Sequence, residues 1–177
     1  DRGHQTPAGD NRFSAAAMSE SFLLSNMSPQ QGPFNQGIWA RLENLVRAWG
    51  LQADDGLWVV TGPILNLIDQ VIGPNSVSVP HAYYKAIIAK NKAHYSGIAL
   101  VLPQNSRREP LDSFVTSISS LEQATGINFF QNLDPAIQSQ VESNVDVSDW
   151  DFQARFSYLS CAHFTDAQSW FALGAGD

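Results

Sequence analysis

The alternation of apolar and polar residues predicts one long amphipathic helix in the first third of the chain. Apolar residues recur there at spacings of three and four, which places them on one face of an α-helix. These residues are Ile38, Leu42, Leu45, Val46 and Trp49. Gly50 follows the last of them, so we expect the helix to end there. Asn35 lies at or near the helix N-terminus, where an asparagine often serves as the N-cap.

Short apolar runs bounded by Gly and Pro predict the strands of a sheet. Residues 57–62, 81–88 and 97–103 are rich in β-branched and aromatic side chains, which favour strands. A further short apolar strand is expected at 22–27, running into a loop. Residues 64–76 are assigned only as a connection. Most of the sheet is therefore expected to follow the long helix.

The second half of the chain predicts another helix and a packed tail. The helix is expected to begin at Asp112, as its N-cap, and to end at Gly126. The composition changes at Asp134, and the residues beyond are too aromatic to be disordered. We therefore expect one domain over residues 1–133, with a C-terminal extension, 134–177, packed on the same domain.

The composition limits the chain to one core and gives it an acidic surface. With 177 residues, 44% of them hydrophobic, the chain can bury one core. No apolar run is long enough to span a membrane, so no membrane partner is expected. The formal net charge of −7 has the wrong sign for gripping a polyanion over a broad face. Brief contact with nucleic acid through a few local cations is compatible with it.

Two further features leave alternatives open. Cys161 is the only cysteine, so it is either a buried small apolar residue or the partner of a cysteine outside this sequence. The basic residues after the long helix could form a shallow phosphate-binding track, although a solvated face is favoured. They are Lys85, Lys90, Lys92, Arg107 and Arg108.

The residues with chemical potential lie at the front of the chain. His4 is predicted to lie at the end of a strand, and Asn35 at or near the start of the long helix. A histidine can act as a general base, and an asparagine offers a neutral oxygen to a hydrated hard cation. Arg2 has the fork geometry that suits phosphate oxygens, with a salt bridge to Asp1 or Asp10 as the alternative. Together these residues favour metal-assisted hydrolysis of a phosphodiester.

Three separated motifs carry a family resemblance. They are DRGHQTPAGD at 1–10, SNMSPQ at 25–30 and FNQGIWARLE at 34–43. In this order and spacing they resemble the DNA/RNA non-specific endonucleases, and weaker matches extend the resemblance over residues 1–133. The resemblance implies an α+β fold of the ββα-metal (His-Me finger) nuclease type, with an antiparallel central sheet flanked by helices. It also implies strands, and a phosphate-contacting arginine, upstream of Asp1.

The resemblance assigns roles to individual residues. It implies that His4 is the general base, that Arg2 contacts phosphate and stabilises charge, and that Asn35 is the direct protein ligand of the metal. Glu43 would contact the metal through one of its waters, with a solvated helix charge as the alternative. Asn26 is expected to pin the loop near His4 rather than to bind the metal. The cofactor would be Mg²⁺, with Mn²⁺ or another divalent ion able to substitute.

The predicted function is sugar-non-specific endonuclease activity on DNA and RNA, giving 5′-phosphate products. The alternatives are a catalytically idle nucleic-acid-binding or interaction module on the same fold, and a toxin nuclease restrained by an inhibitor. A homodimer and an upstream segment present as a separate chain are further expectations about partners. A secreted or periplasmic location is favoured over an intracellular one, with the mitochondrion as the alternative.

Overall fold

The computed structural model describes residues 1–92 and 94–157. Within these ranges the chain forms four α-helices and eight β-strands, with an antiparallel central sheet flanked by helices. This is the α+β architecture that the sequence implied. No described helix is long and apolar enough to cross a membrane.

The first elements of the chain are two short strands joined by a segment that contains a short α-helix. β1 (Arg2–His4) pairs antiparallel with β2 (Met27–Pro29). Between them lie α1 (Ala15–Glu20) and a 3₁₀ turn on either side of it. The strand predicted at 22–27 is therefore wrong over most of its length. Its first apolar side chains are exposed, so there is no buried face to stabilise a strand.

A long helix follows β2 and packs its apolar face on the sheet. It opens with a π-helical segment, Phe34–Trp39, and continues as α2 (Ala40–Gln52). The predicted apolar face is buried, as the side chains of Ile38, Leu42 and Trp49 show. The helix continues two residues past Gly50, the predicted end. A glycine permits a helix to stop but does not force it to.

Six further strands form a central sheet and a separate hairpin. They are β3 (Leu57–Pro63), β4 (Ile68–Ile72), β5 (Val77–Pro80), β6 (Ala82–Asn91), β7 (His94–Pro103) and β8 (Val115–Thr116). The central sheet has the order β3-β6-β7-β8, with every pair antiparallel. The β4–β5 hairpin occupies the segment predicted as a connection. Most of its residues are exposed, so the sequence lacks the alternation of apolar and polar residues that marks a strand buried on one face.

Two helices pack on the opposite face of the central sheet from α2. They are α3 (Ile118–Thr125) and α4 (Pro135–Ser143). α3 begins later than predicted, because Ser117 and not Asp112 is its N-cap and accepts a hydrogen bond from the first turn. Gly126 ends the helix as expected, with a φ of +72° that glycine adopts without strain.

Strand β6 has a core on each of its faces. Tyr83 and Ile87 pack with the buried residues of the long helix, whereas Ala86 and Ile88 pack with those of α3 and α4. Side chains of a strand alternate between its two faces, so β6 lies between two layers of helix. A residue at an odd-numbered position of β6, such as Lys85, therefore faces the long helix.

Helix α4 approaches the sheet closely at Gly97 on β7. A Cβ atom on Gly97 would lie 2.2 Å from the carbonyl oxygen of Val141 in α4, which is closer than two such atoms can pack. Glycine therefore allows the backbone of α4 to lie directly on the strand.

The described part of the predicted extension packs on the core. Val141 and Trp150 are 3% and 4% exposed. Trp49 of α2 makes an edge-on contact with Trp150, and its Nε1 donates to the carbonyl oxygen of Asp151 at 3.0 Å. Cys161 lies outside the described residues. The division into 1–133 and 134–177 stays a prediction.

Candidate active site

His4 ends β1, and its imidazole is partly shielded from solvent. The ring meets Phe22 edge-on, with ring centroids 4.7 Å apart. Its Nε2 is buried and has no hydrogen-bond partner among the described residues. Burial lowers the pKa of His4 from its ordinary value of 6.5. At neutral pH the imidazole is therefore mainly uncharged, which is the form that a general base needs.

Asn35 lies in the π-helical segment, with its side chain held by the carboxylate of Asp1. Its Nδ2 donates to Asp1 Oδ2 at 3.1 Å, and Gln36 Nε2 donates to the same oxygen at 2.8 Å. The backbone N–H of Asn35 bonds to the Gln31 carbonyl oxygen at 2.9 Å. Asn35 is therefore not the N-cap, because the chain is already helical at Pro33. Among the described residues, no donor bonds to its Oδ1.

Strand β1 links His4 to Asp1, the residue that holds the Asn35 side chain. Asp1, which holds Asn35, immediately precedes the strand, and His4 ends it. The rise of an extended chain separates the Cα atoms of Asp1 and His4 by about 10 Å. The candidate base thus ends a short strand, and the residue that holds the candidate metal ligand comes directly before the same strand.

Glu43 lies on α2 in a largely buried position. Its side chain is 16% exposed, and Arg47 Nη2 lies 3.8 Å from its carboxylate, one helical turn away. Burial raises the pKa of Glu43, while the positive charges of Lys85 and then Arg47 oppose that rise. Arg47 also donates to Asp10, so Arg47 links two acidic side chains. The alternative of a freely solvated helix charge does not describe Glu43.

Lys85 lies beneath the long helix, at the middle of β6. It is 2% exposed, donates from Nζ to Thr61 Oγ1 at 2.8 Å, and has Nζ 5.0 Å from the ring centroid of Trp39. Burial lowers the pKa of Lys85 to about 8, and Glu43 opposes that fall. The expectation that Lys85 belongs to a basic surface cluster is wrong, because its strand position turns it into the core.

Asn26 holds the loop that follows His4. Its Oδ1 accepts from the Thr6 N–H at 2.9 Å, and its Nδ2 donates to the carbonyl oxygens of Thr6 and Ser21, both at 2.8 Å. The Gln5 N–H also donates to the Asn26 carbonyl oxygen. These bonds use both ends of the carboxamide, so Asn26 is engaged with the backbone.

Arg2 projects from β1 beside His4 and is exposed. It forms no ion pair with the acidic side chains in the described part of the chain, and Asp10 is paired with Arg47 instead. The alternative of a salt bridge from Arg2 to Asp1 or Asp10 is therefore not observed. Its guanidinium is available to an anion.

The residues around Asn35 fit a hydrated, oxygen-bound cation better than a closed metal cage. Residues 1–92 and 94–157 contain no group of three or more His, Cys, Asp or Glu side chains that could hold a metal. The Asn35 Oδ1 offers one neutral oxygen, and Glu43 offers a carboxylate on the same helix. Such a donor set leaves most of the coordination sphere to water, as Mg²⁺ prefers.

Three residues that touch this region were missing from the sequence prediction of the site. Asp1 accepts a hydrogen bond from Asn35, and Arg47 lies 3.8 Å from the Glu43 carboxylate. The ammonium group of Lys85 lies over the ring of Trp39. The position of Arg47, four residues after Glu43, is a signal that could have been used, because such pairs meet on a helix. Lys85 gave no such signal, since its partner is distant in sequence.

Comparison with a family model agrees with the motifs. The model described as DNA/RNA non-specific endonuclease matches residues 1–136. All the site residues described above lie in the matched span.

The chain is also similar to named nucleases. It is 35% identical over 185 residues to Nuclease EXOG, mitochondrial, of Homo sapiens, covering 95% of this chain and 50% of that protein. It is 39% identical over 158 residues to Mitochondrial nuclease of Saccharomyces cerevisiae, covering 77% of this chain and 47% of that protein. The chain thus spans about half the length of these curated relatives.

A solved structure has the same fold. The crystal structure of an EndoG/EndoGI complex matches with a TM-score of 0.68 and 33% identity, covering 76% of this chain and 60% of that chain. The predicted ββα-metal nuclease fold is confirmed by this likeness.

The relatives correct the expected location and establish the family. The expectation of a secreted or periplasmic location is wrong, since the human and yeast relatives are both mitochondrial by name. The family model covers residues 1–136, and the human relative is 35% identical across 95% of this chain. The chain therefore belongs to the DNA/RNA non-specific endonuclease family.

Proposed function

We propose that this chain carries the catalytic core of an endonuclease that cleaves DNA and RNA with little sugar or sequence discrimination. The observation that carries the proposal is strand β1, which ends in His4 with its lowered pKa and follows Asp1, the residue that holds Asn35. Membership of the endonuclease family supports the same activity. The net charge of −7 favours brief contact with the substrate over tight binding.

In the proposed reaction, His4 accepts a proton from the attacking water. Its burial keeps the imidazole neutral and able to accept that proton. Arg2 would contact a phosphate oxygen through its exposed guanidinium. Asn26 would keep the loop after His4 in place through its bonds to Thr6 and Ser21. The products would carry 5′-phosphates.

A divalent cation would be held by Asn35 through Oδ1 and by Glu43 through water. When bound, the cation stabilises the charge that develops on the phosphate and on the leaving oxygen. We propose Mg²⁺ as the ion, with Mn²⁺ able to replace it, because amide and water oxygens suit a small hard cation. With one direct protein ligand, binding should be weak, on the order of millimolar.

The cellular setting of this activity is also a proposal. A mitochondrial location is supported by the names of the human and yeast relatives. An inhibitor protein is a candidate partner, because the similar solved structure concerns EndoG inhibition in the EndoG/EndoGI complex. A homodimer, and an upstream segment present as a separate chain, stay predictions.

The test is cleavage of plasmid DNA and of RNA by the full-length protein with Mg²⁺, beside a reaction with EDTA. We expect His4→Ala and Asn35→Ala each to lower the cleavage rate by about 100-fold or more. Ser139→Ala, an exposed change on α4, serves as the matched control and should cleave as the wild type does. Undiminished cleavage by His4→Ala would refute the assignment of the base, and inactivity of the wild type would favour the catalytically idle module.

A further inference from the structure

Gln104 is a polar side chain buried in the core directly after β7. It is 0% exposed, and a buried carboxamide is costly unless its hydrogen-bonding groups are paired. Here they are paired: Oε1 accepts from the Gln31 N–H at 2.6 Å, and Nε2 donates to the carbonyl oxygens of Pro80 at 2.6 Å and Pro29 at 3.3 Å. One side chain therefore joins the end of β2, the end of β5 and the residue that precedes the long helix.

Gln31 carries this contact to the candidate metal ligand. Its carbonyl oxygen accepts from the N–H groups of Phe34 at 3.1 Å and of Asn35 at 2.9 Å. Its own N–H is the group that Gln104 holds. A continuous path of hydrogen bonds therefore runs from the core of the sheet, through Gln104 and Gln31, to the backbone of Asn35.

The side chain of Asn35 depends on the neighbouring residue of the same turn. Asp1 accepts from Asn35 Nδ2 at 3.1 Å, and the Asp1 carbonyl oxygen accepts from the Gln30 N–H at 3.1 Å. Gln30 directly precedes Gln31 in the chain. Residues 30–31 therefore support the backbone of Asn35 and, through Asp1, its carboxamide.

We propose that Gln104 is a positioning residue for the metal site: its buried carboxamide fixes Gln31, and through Gln31 the Asn35 ligand, and so sets how tightly the site binds a divalent cation. This inference rests on the proposed function, in which Asn35 is the direct protein ligand. Gln104 acts through Gln31 and does not itself bind the cation. With an apolar residue in its place, the Gln31 N–H would lose its acceptor, and the segment that carries Asn35 would shift to regain one.

The test is a titration of the full-length protein with Mg²⁺ in the absence of nucleic acid, followed by the NMR signals of the Asn35 side-chain amide. Gln104→Met keeps the length of the side chain and removes its acceptor and its donors. We expect the dissociation constant for Mg²⁺ to rise by about tenfold, the lower end of what supporting residues of a metal site contribute. An unchanged dissociation constant would overturn the inference.

Leu121→Ala is the matched control, because it also destabilises the core but leaves the contacts of Gln104 in place. Leu121 is 1% exposed and packs in the core on the other face of the sheet from the long helix. We expect Leu121→Ala to bind Mg²⁺ as the wild type does. An equal loss of affinity in the two variants would mean that Gln104 acts only through the stability of the fold, which would overturn the inference.

A second readout follows the Asn35 backbone in the metal-free protein. The Asn35 N–H donates to Gln31, so its exchange with solvent deuterium reports how firmly that turn is held. Exchange at Asn35 should be faster in Gln104→Met than in Leu121→Ala. Equal exchange rates in the two variants would contradict a positioning role.

The design also covers two other failures. If Gln104→Met does not fold, Gln104→Asn replaces it: the carboxamide is kept but is one methylene group shorter, so it cannot reach Gln31, Pro29 and Pro80 together. The same loss of Mg²⁺ affinity then supports the inference, and wild-type affinity overturns it. Wild-type Asn35 signals that do not respond to Mg²⁺ would contradict the proposed metal site and this inference with it, whereas equal responses in wild type and variant contradict the inference alone.

Discussion

Hydrogen bonding to Asp1 determines which atom of the Asn35 side chain remains available to bind a cation. An ionised carboxylate accepts hydrogen bonds and cannot donate them, so Asp1 must face the amide nitrogen of Asn35. The carbonyl oxygen then points elsewhere, as a cation ligand requires. The residue types and the order of the motif were predictable from the sequence, but this contact was not, because β1, α1 and β2 all lie between the two residues along the chain.

Asp1→Ala should therefore weaken the metal site without removing its ligand. The Asn35 amide would be free to rotate, and we expect Mn²⁺ affinity to fall by about tenfold. Gln36→Ala is the matched control, because it removes the other donor to Asp1 and leaves the Asn35 contact intact. Direct Mn²⁺ titration of both variants checks the prediction, and equal affinities would count against it.

The burial of His4 predicts the acid side of the pH profile. Protonated His4 cannot accept a proton, so kcat/KM should fall as pH decreases through the pKa of His4. Because burial lowers this pKa, the midpoint of the fall should lie below 6.5. Phe22→Ala would expose the ring to water and should move the midpoint upward. A wild-type midpoint above 6.5, measured at saturating Mg²⁺, would contradict the prediction.

At the scale of elements, burial patterns were predictable and local backbone geometry was not. The apolar face of the long helix follows from its spacing, since its residues pack on β6. The π-helical form of Phe34–Trp39 does not, because the order of apolar and polar residues does not specify which backbone hydrogen bonds a helical segment forms. The start of α3 was misplaced because Asp112 and Ser117 are both good capping residues. Local sequence alone does not choose between them.

The capping assignment gives a stability prediction. The Ser117 hydroxyl accepts from the Ser120 N–H at 3.1 Å, so Ser117→Ala should lower the free energy of unfolding by about 1 kcal/mol. Asp112 is exposed in a 3₁₀ turn, so Asp112→Ala should change the free energy of unfolding by less than about 0.5 kcal/mol. Urea denaturation of both variants checks the prediction, which the reverse order of effects would contradict.

For the whole molecule, the sequence predicted one core, and the structure divides it between the two faces of the sheet. The central strands were predictable because their apolar runs are long and bounded by breakers. Their order in the sheet was not, because it depends on contacts between distant segments. The packing of residues after Asp134 was expected from their aromatic content, and the contact between Trp49 and Trp150 accounts for part of it.

Trp150→Ala should destabilise the whole molecule rather than only its C-terminal segment. The side chain is 4% exposed and contacts Trp49, so its loss should lower the free energy of unfolding by about 3–5 kcal/mol. Val147→Ala, in the same segment but 44% exposed, should cost less than about 1 kcal/mol. Denaturation followed by both tryptophan fluorescence and circular dichroism should give one coincident transition. Separate transitions would mean that the segment unfolds independently.

The glycine at position 97 can help to interpret related sequences. Because α4 rests on bare backbone at that point, any larger residue there would have to push the helix outward and would also crowd the side chain of Ile118. The identity of this one position can therefore serve as a marker in related sequences that have no structure. A glycine there indicates that the helix equivalent to α4 lies directly on the sheet, and a bulky residue indicates that this helix lies elsewhere.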